Sequence, residues 1–230
     1  MKRIKTYIKG FDELIEGGFP IGSVNLVSGN PGTGKTIFSM EYLNNGAIKN
    51  KEIGIYFTFE EKKESIIEQA EQFGFDFKKL EEKKLIKIIS IGTEDISENS
   101  IKEILEIIES TKAKRVVIDS ITTLSFITPE QIQNYSINQF TIKKFLYFFI
   151  TKLKENKELT SILISQKDEK TSDNLSKYLC DGVINIEFES MGGDFSRTLI
   201  INKMRKTKND EDLHSLEINN QHGIIIHKME

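Results

Sequence analysis

Residues 29–36 of the chain read GNPGTGKT, and they lie between an apolar run at 24–28 and a segment with helical character at about 35–46. The segment matches the pattern G-x-x-x-x-G-K-[ST] in full. Its glycines let successive backbone N–H groups converge on one anion, because no Cβ stands in the way. A helix that begins at Lys35 would add the positive end of its dipole. The pattern therefore predicts a phosphate-binding loop between a strand and a helix.

Two side chains of this loop suit nucleotide chemistry. The Lys35 ammonium can reach the β- and γ-phosphates, and the Thr36 hydroxyl can hold Mg²⁺. We therefore predict that the chain binds a nucleotide and Mg²⁺ through the loop and the start of its helix, with the binding residues Asn30, Pro31, Gly32, Thr33, Gly34, Lys35, Thr36 and Ile37.

Strand-like and helix-like segments alternate along most of the chain. Apolar runs at 53–59, 85–91, 115–119 and 160–165 are typical of buried strands, and segments between them have the 3.6-residue apolar period of helices. Further strand-like runs follow at 183–188, 198–203, 215–218 and 223–227, with few helices between them. The predicted fold class is α/β, with a mostly parallel central sheet flanked by helices and antiparallel strands at the C-terminal end. We expect one domain over residues 1–230.

Acidic residues stand at the ends of two predicted strands. Asp119 ends a short apolar run, where an acid near a phosphate loop can hold Mg²⁺. Glu60 and Glu61 end another run, and ligands bind at the carboxyl ends of parallel strands. If that strand neighbours the strand before the loop, one glutamate can activate the water that attacks the γ-phosphate. Only one can face the phosphate in extended geometry; the alternative is two solvated surface acids.

Composition and charge argue against several classes of protein. The formal net charge is −3, which gives no bulk electrostatic reason to coat nucleic acid or an anionic membrane. The single cysteine, Cys180, excludes an intramolecular disulfide and fits a reducing compartment. The apolar run at 145–150 is far shorter than the roughly 20 residues of a spanning helix. We expect a cytoplasmic protein without membrane insertion. The histidines lack metal-ligand spacing and are predicted at the surface or in turns: His214, His222 and His227.

Six short blocks resemble the KaiC-like branch of the RecA-superfamily ATPases. Residues 6–23, which precede the phosphate loop, read TYIKGFDELIEGGFPIGS; the others are FTFEE at 57–61, FGFD at 73–76, VIDS at 117–120, DGVI at 181–184 and KMR at 203–205. The blocks follow the order of the family and cover essentially the whole chain. The resemblance implies one KaiC-type domain with a RecA-like P-loop core, ATP as the nucleotide, and assembly into a ring, expected to be a hexamer, with ATP at subunit interfaces.

The resemblance also implies roles for individual residues. It makes Glu60 and Glu61 the catalytic acids. In the family a Lys-x-Arg element reaches the neighbouring subunit's nucleotide, and here that element is Lys203 and Arg205, which would share one face of a strand. Four further positions would contact nucleotide: Met204 and Thr207 beside the Lys-x-Arg element, Gln72 at the adenine, and Gln166 as the residue that senses the γ-phosphate.

Three alternatives to a ring-forming ATPase of the KaiC kind stay open. The first is a nucleotide-sensing scaffold, similar to the KaiC-like accessory protein of the archaeal motility motor, which would switch a protein partner that the sequence does not identify. The second is a DNA recombination or repair ATPase of the RadA/RadB kind, which the near-neutral charge disfavours. The third is a protein kinase. The positions that match the clock protein's phosphorylation pair are Lys177 and Tyr178, so clock-type autophosphorylation there is not supported.

Overall fold

Short, largely buried strands and the helices between them make up the computed structural model, which describes residues 1–92, 98–124, 135–167, 171–188, 197–220 and 223–228. The strands are β1 Arg3–Ile4, β2 Phe19–Pro20, β3 Val24–Gly29, β4 Gly54–Thr58, β5 Ile86–Ser90, β6 Arg115–Asp119, β7 Thr160–Gln166, β8 Gly182–Phe188, β9 Arg197–Met204, β10 His214–Asn219 and β11 Gly223–His227. The helices are α1 Phe11–Leu14, α2 Lys35–Asn50, α3 Lys63–Gln72, α4 Phe77–Glu82, α5 Glu98–Thr111, α6 Ile121–Leu124, α7 Tyr135–Glu155 and α8 Thr171–Leu179.

The strand that leads into the phosphate loop, β3, lies in the middle of the main sheet. Within the described residues this sheet has nine strands in the order β11-β10-β9-β8-β3-β7-β6-β4-β5. The strands from β8 to β5 in this order run parallel, and β9, β10 and β11 add to the edge as antiparallel strands. The predicted α/β class with C-terminal antiparallel strands is confirmed.

The strand before Glu60 and Glu61 is not a neighbour of the strand that leads into the phosphate loop. β4, which precedes Glu60 and Glu61, does not neighbour β3, because β7 and β6 lie between them. At about 4.8 Å per strand spacing, β4 lies roughly 14 Å from β3. A glutamate therefore reaches the phosphate loop only if its side chain extends across the end of β6. Glu60 does so, since the hydroxyl of Ser120, the residue directly after β6, donates to Glu60 Oε1 at 2.8 Å.

Helices cover both faces of the sheet. Neighbouring residues on a strand point to opposite faces, so Tyr56 packs with Phe38 of α2 on one side, whereas Ile55 packs with Ile104 of α5 and Leu146 of α7 on the other. Each such buried side chain contributes about 1.5–3 kcal/mol through removal of apolar surface from water. The two cores hold the strand ends, and hence the loops after them, in fixed relative positions.

A buried arginine ties α2 to the amino end of β6. The Arg115 side chain is fully buried; its Nε donates to Glu52 Oε2 at 2.7 Å, and its Nη1 donates to the Tyr42 carbonyl at 2.8 Å. Gly46 gives this guanidinium its space, since a Cβ there would lie 2.1 Å from Nε. This corrects the expected helix end at Gly46. Gly46 lies inside α2, which continues to Asn50, and glycine is needed there because a side chain would collide with Arg115.

Replacing Gly46 by alanine is expected to destabilise the protein by about 1–3 kcal/mol, because the added methyl group overpacks the Arg115 site. Without that contact, the same change inside a helix stabilises by up to about 1 kcal/mol. Urea unfolding measures the difference, and Lys49→Ala at an exposed position of the same helix is the control, expected within about 0.5 kcal/mol of the parent. A stabilised Gly46→Ala protein would contradict this packing argument.

A buried carboxyl group joins α2 to the C-terminal hairpin of β10 and β11. The Ile224 N–H donates to Glu41 Oε2 at 2.7 Å. Burial raises the pKa of Glu41 from 4.5 to about 7, and the hydrogen bond from Ile224 opposes the rise only in part. The folded protein therefore holds a proton on Glu41 over a pH range in which the unfolded chain has released it.

Stability is accordingly expected to fall as the pH rises from about 4.5 to about 7, since a carboxyl group with a raised pKa favours folding only while it is protonated. Between pH 5 and pH 8 the loss from Glu41 should be roughly 2–3 kcal/mol. Glu41→Gln, which keeps an acceptor for Ile224 but cannot ionise, should lack this part of the pH dependence. Urea unfolding of both proteins at pH 5 and pH 8 tests this; parallel pH profiles would refute it.

The histidines differ in part from their predicted places. His214 lies fully buried on β10, with its Nε2 3.3 Å from Asp210 Oδ1, so its prediction as a surface residue is wrong. A strand that pairs on both edges has one face toward the core, and the sequence does not say which residue takes that face. His227 is exposed at the end of β11 beside Glu217. His222 lies outside the described residues.

No helix in the described part of the chain is both long enough and apolar enough to span a bilayer.

Candidate functional site

The loop of residues 29–36 joins β3 to α2 at the carboxyl edge of the parallel strands. Gly29 lies opposite Gln166 in the β3–β7 pairing, and a Cβ on it would come within 2.1 Å of the Ile186 carbonyl oxygen. Gly34 has φ +106°, a conformation that favours glycine, and it leads directly into the first turn of α2. A close contact with β8 therefore accounts for Gly29, and local backbone geometry accounts for Gly34.

Polar groups of the loop converge on one backbone carbonyl. The Lys35 Nζ and the Thr33 Oγ1 donate to the Asn30 carbonyl at 2.8 and 2.9 Å. Asn30, Pro31 and Gly32 are exposed, and Thr36 and Ile37 are half-buried. Burial lowers the pKa of the Lys35 ammonium, while the nearby Asp119 and Glu60 carboxylates act in the opposite direction. Together with the amino end of α2, these groups form a positive, anion-binding end of the site.

Asp119 lies at the carboxyl end of β6, within reach of α2. The hydroxyl groups of Thr36 and Tyr56 both donate to its Oδ2, at 3.2 and 2.5 Å. Burial raises the pKa of Asp119 to about 6; the Tyr56 hydrogen bond lowers it, and the charge of Glu60 raises it further. The peptide bond that follows, Asp119–Ser120, is cis.

The donor set fits Mg²⁺. The cation prefers hard oxygen ligands, and neighbouring oxygens of an octahedral Mg²⁺ site lie about 3 Å apart. The predicted pair, Thr36 Oγ1 and Asp119 Oδ2, lies 3.2 Å apart. These two residues, with phosphate oxygens and water, could therefore hold the ion that a nucleotide brings.

The two glutamates after β4 point to different partners. Glu60 Oε1 accepts hydrogen bonds from the Ser120 hydroxyl, at 2.8 Å, and from the Thr123 hydroxyl, both on the segment after Asp119. Glu61 Oε2 accepts from Ser65 Oγ at 2.5 Å and from the Gln69 amide, both on α3. Glu60 therefore faces the Asp119 and Lys35 side of the site, and Glu61 is turned toward α3.

The two predicted glutamines occupy different surroundings. Gln166 is the exposed last residue of β7, directly beside the start of the phosphate loop, and its N–H donates to Thr122 Oγ1 at 3.0 Å. Gln72 is the exposed last residue of α3, the helix to which Glu61 is tied. The structure thus brings Gln166, and not Gln72, into the immediate neighbourhood of the loop.

The Lys-x-Arg element and the phosphate loop of the same chain lie at opposite ends of the strands. Lys203 pairs with Val183 near the amino end of β8, whereas Ile186 is level with Gly29. The Lys203 Nζ donates to the carbonyls of Lys177, Tyr178 and Cys180 at 3.0, 3.0 and 2.6 Å. The structure thus does not bring these cations to the phosphate loop of their own subunit.

Residues around the two cations differ in accessibility. The Arg205 side chain is 48% exposed, and its contacts with other described residues are long, at 3.4 Å to Asp181 Oδ1 and to the Tyr178 carbonyl. The Met204 side chain is buried against Gly182 within its own subunit. Thr207 Oγ1 accepts from Arg3 Nη1 at 3.0 Å. Of this group, Arg205 is the side chain that can most readily turn outward.

An aromatic and a basic residue beside the loop were not predicted. Phe188, at the end of β8, is 48% exposed and lies 3.8 Å from where a Cβ of Gly32 would be. The Arg197 guanidinium lies over the Phe188 ring at 4.9 Å from its centroid, and it donates to the Gly32 carbonyl at 3.4 Å. The sequence shows a phenylalanine at the end of a predicted strand. Its position beside the loop depends on the pairing of β8 with β3, which the sequence does not show.

A family model described as "ATPase: KaiC" matches residues 4–230. The chain belongs to the KaiC family of ATPases. This agrees with a phosphate loop, a strand-end aspartate and a glutamate at one edge of a parallel sheet.

Individual relatives support the assignment to the KaiC family. The circadian clock oscillator protein KaiC of Synechococcus elongatus is 32% identical over 238 aligned residues, which cover 97% of this chain and 44% of that protein. A UPF0273 protein of Pyrococcus horikoshii is 33% identical over 245 aligned residues, covering 98% of this chain and 94% of the relative. The crystal structure of a KaiC-like protein from the same archaeon matches with a TM-score of 0.84 at 30% identity and 99% coverage of both chains.

Proposed function

We propose that the protein is a Mg²⁺-dependent ATPase that assembles into a ring, with each nucleotide held between two subunits. The observation that carries this proposal is the position of Glu60, whose carboxylate is fixed beside Ser120 and close to the Asp119 and Lys35 charges. Groups suited to phosphate binding, metal binding and proton abstraction thus lie close together at the carboxyl ends of the parallel strands.

The nucleotide would lie along the loop and the first turn of α2. The backbone N–H groups of the exposed residues Asn30 and Gly32 and the Lys35 ammonium are donors for the β- and γ-phosphates. Phe188 offers an exposed ring beside Gly32, already stacked on one side by Arg197. An aromatic ring with a guanidinium is a surface on which a nucleobase can stack. Adenine is the base that membership of the KaiC family suggests.

Bound Mg²⁺ would neutralise charge on the β- and γ-phosphates. Thr36 and Asp119 are the residues to hold it. The protein's own contribution to the chemical step is then to place and deprotonate a water molecule. Glu60 suits this role, because two hydroxyl donors fix one of its oxygens and leave the other for water. Glu61, tied to Ser65 and Gln69, would instead orient the loop that carries Glu60.

Separate glutamine substitutions should distinguish these roles. Glu60→Gln is expected to lower kcat by about 10²–10⁴-fold, the range of a lost general base, with nucleotide affinity retained. Glu61→Gln is expected to lower kcat about tenfold or less, since only positioning is affected, and the double variant should have no measurable turnover. Steady-state phosphate release and binding of a fluorescent ATP analogue give the two quantities. Undiminished hydrolysis by Glu60→Gln would remove the role assigned to it.

The cations at 203–205 would complete the site of a neighbouring subunit. Lys203 is held by three carbonyls at the end of α8, whereas Arg205 is exposed and loosely paired. Exposed tyrosines, Tyr147 and Tyr178, line the same surface as Arg205, which favours a subunit contact there. An arginine supplied in trans would stabilise charge that develops on the γ-phosphate during hydrolysis.

Complementation between variants should reveal a shared site. Lys35→Ala disables a subunit's own nucleotide site but leaves its Arg205, and Arg205→Ala does the opposite. Each protein alone should be at least about 10³-fold less active than the parent, while a mixture assembled before ATP is added should recover a substantial fraction of the activity. Light scattering with ATP and with ADP gives the oligomeric mass. A strictly monomeric protein, or a mixture no more active than its components, would exclude the trans arginine.

A further inference from the structure

A tyrosine hydroxyl contacts the aspartate of the metal site from inside the core. Tyr56 is a fully buried residue of β4, and its hydroxyl donates to Asp119 Oδ2 at 2.5 Å. The Thr36 hydroxyl donates to the same oxygen. Within the described residues no donor contacts the other oxygen, Oδ1. The carboxylate is therefore held on one side and open on the other.

Strand register explains why a tyrosine reaches this position. Tyr56 lies opposite Val117 in the parallel pairing of β4 with β6, and Asp119 follows Val117 by two residues. Residues two apart point to the same face, here the face covered by α2, and they are about 6.6 Å apart along the strand. A phenol ring directed along the sheet spans that distance and places its hydroxyl at the carboxylate. A phenylalanine would fill the same space and lack the donor.

Core packing alone does not require this partner. Tyr42 is a second fully buried tyrosine, and its hydroxyl donates to a backbone carbonyl, that of Thr160, at 3.2 Å. A buried tyrosine hydroxyl needs an acceptor, and a carbonyl is sufficient. Tyr56 instead contacts a charged side chain that a nucleotide-bound cation would use, and does so at a shorter distance.

We propose that Tyr56 is a positioning residue for the divalent cation: its hydroxyl fixes the orientation of the Asp119 carboxylate beside Thr36, so that the carboxylate is placed to hold the metal. The inference rests on the proposed function, because it assumes that Asp119 helps to hold Mg²⁺. Tyr56 itself contacts neither metal nor nucleotide. Its effect is on metal affinity, since a partner that orients a ligand typically changes affinity by about 10–100-fold.

The test compares Tyr56→Phe with Tyr42→Phe, which each remove one buried hydroxyl and keep the ring. Mn²⁺ is the probe, and its binding to the protein saturated with a non-hydrolysable ATP analogue is measured by electron paramagnetic resonance. Tyr56→Phe is expected to weaken Mn²⁺ binding about tenfold or more, and Tyr42→Phe to change it less than about twofold. Affinity for the analogue in EDTA should be unchanged in both variants.

A double-mutant cycle separates orientation of Asp119 from a general loosening of the core. In the Asp119→Asn background, where the charged ligand is already lost, Tyr56→Phe should cause no further loss of Mn²⁺ affinity. An equal loss in both backgrounds, or parental Mn²⁺ affinity in Tyr56→Phe alone, overturns the inference. Such a result leaves the proposed ATPase intact if the parent protein still hydrolyses MgATP, whereas a parent that binds no nucleotide refutes the proposed function itself.

Discussion

Charge balance at the carboxyl edge of the sheet is the constraint on which the site depends. The amino end of α2 and Lys35 make the loop positive, yet Asp119 and Glu60 lie close enough to act on the pKa of Lys35. A triphosphate placed on the loop would be attracted by the amino end of α2 and by Lys35, and it would be repelled by the carboxylates of Asp119 and Glu60. In a partly buried site, charges a few ångströms apart interact by several kcal/mol. A divalent cation between the phosphates and Asp119 resolves this conflict, so metal and nucleotide are expected to bind together.

Strand order decides which side chains lie near the phosphate loop. β7 and β6 separate β4 from β3, and Glu60 approaches the loop because its side chain extends across the end of β6 to Ser120. Glu61 contacts α3 instead. Lys203 and Arg205 lie at the other end of the strands, near the amino end of β8. In the proposed ring, each subunit would contribute to two separate sites, and its Arg205 would act on the nucleotide of the next subunit.

Much of the fold and part of the candidate site could be predicted from the local sequence, because strands, helices and tight turns each require particular residue types within a few positions. The positive φ angles of Gly32 and Gly34 and the apolar character of the strands follow from backbone geometry or from burial within a few residues. What was missed depends on contacts between segments distant in sequence. Gly46 reads as a helix end until Arg115 is placed against it, and His214 reads as a surface residue until β10 is paired. The contacts of Tyr56 with Asp119 and of Phe188 with the loop follow only from the pairing of strands.

Calorimetric titration of the purified protein with ATP, in excess Mg²⁺ and in EDTA, tests the central claim most directly. If the loop holds the phosphates and the carboxylates need a cation, ATP should bind at least about tenfold more tightly with Mg²⁺ than without it, which corresponds to about 1.4 kcal/mol. Adenosine, which lacks phosphates, should bind far more weakly and show no metal dependence. Equal affinity for ATP in the two buffers would contradict the account, because the acids at the edge of the sheet would then have no cation to hold.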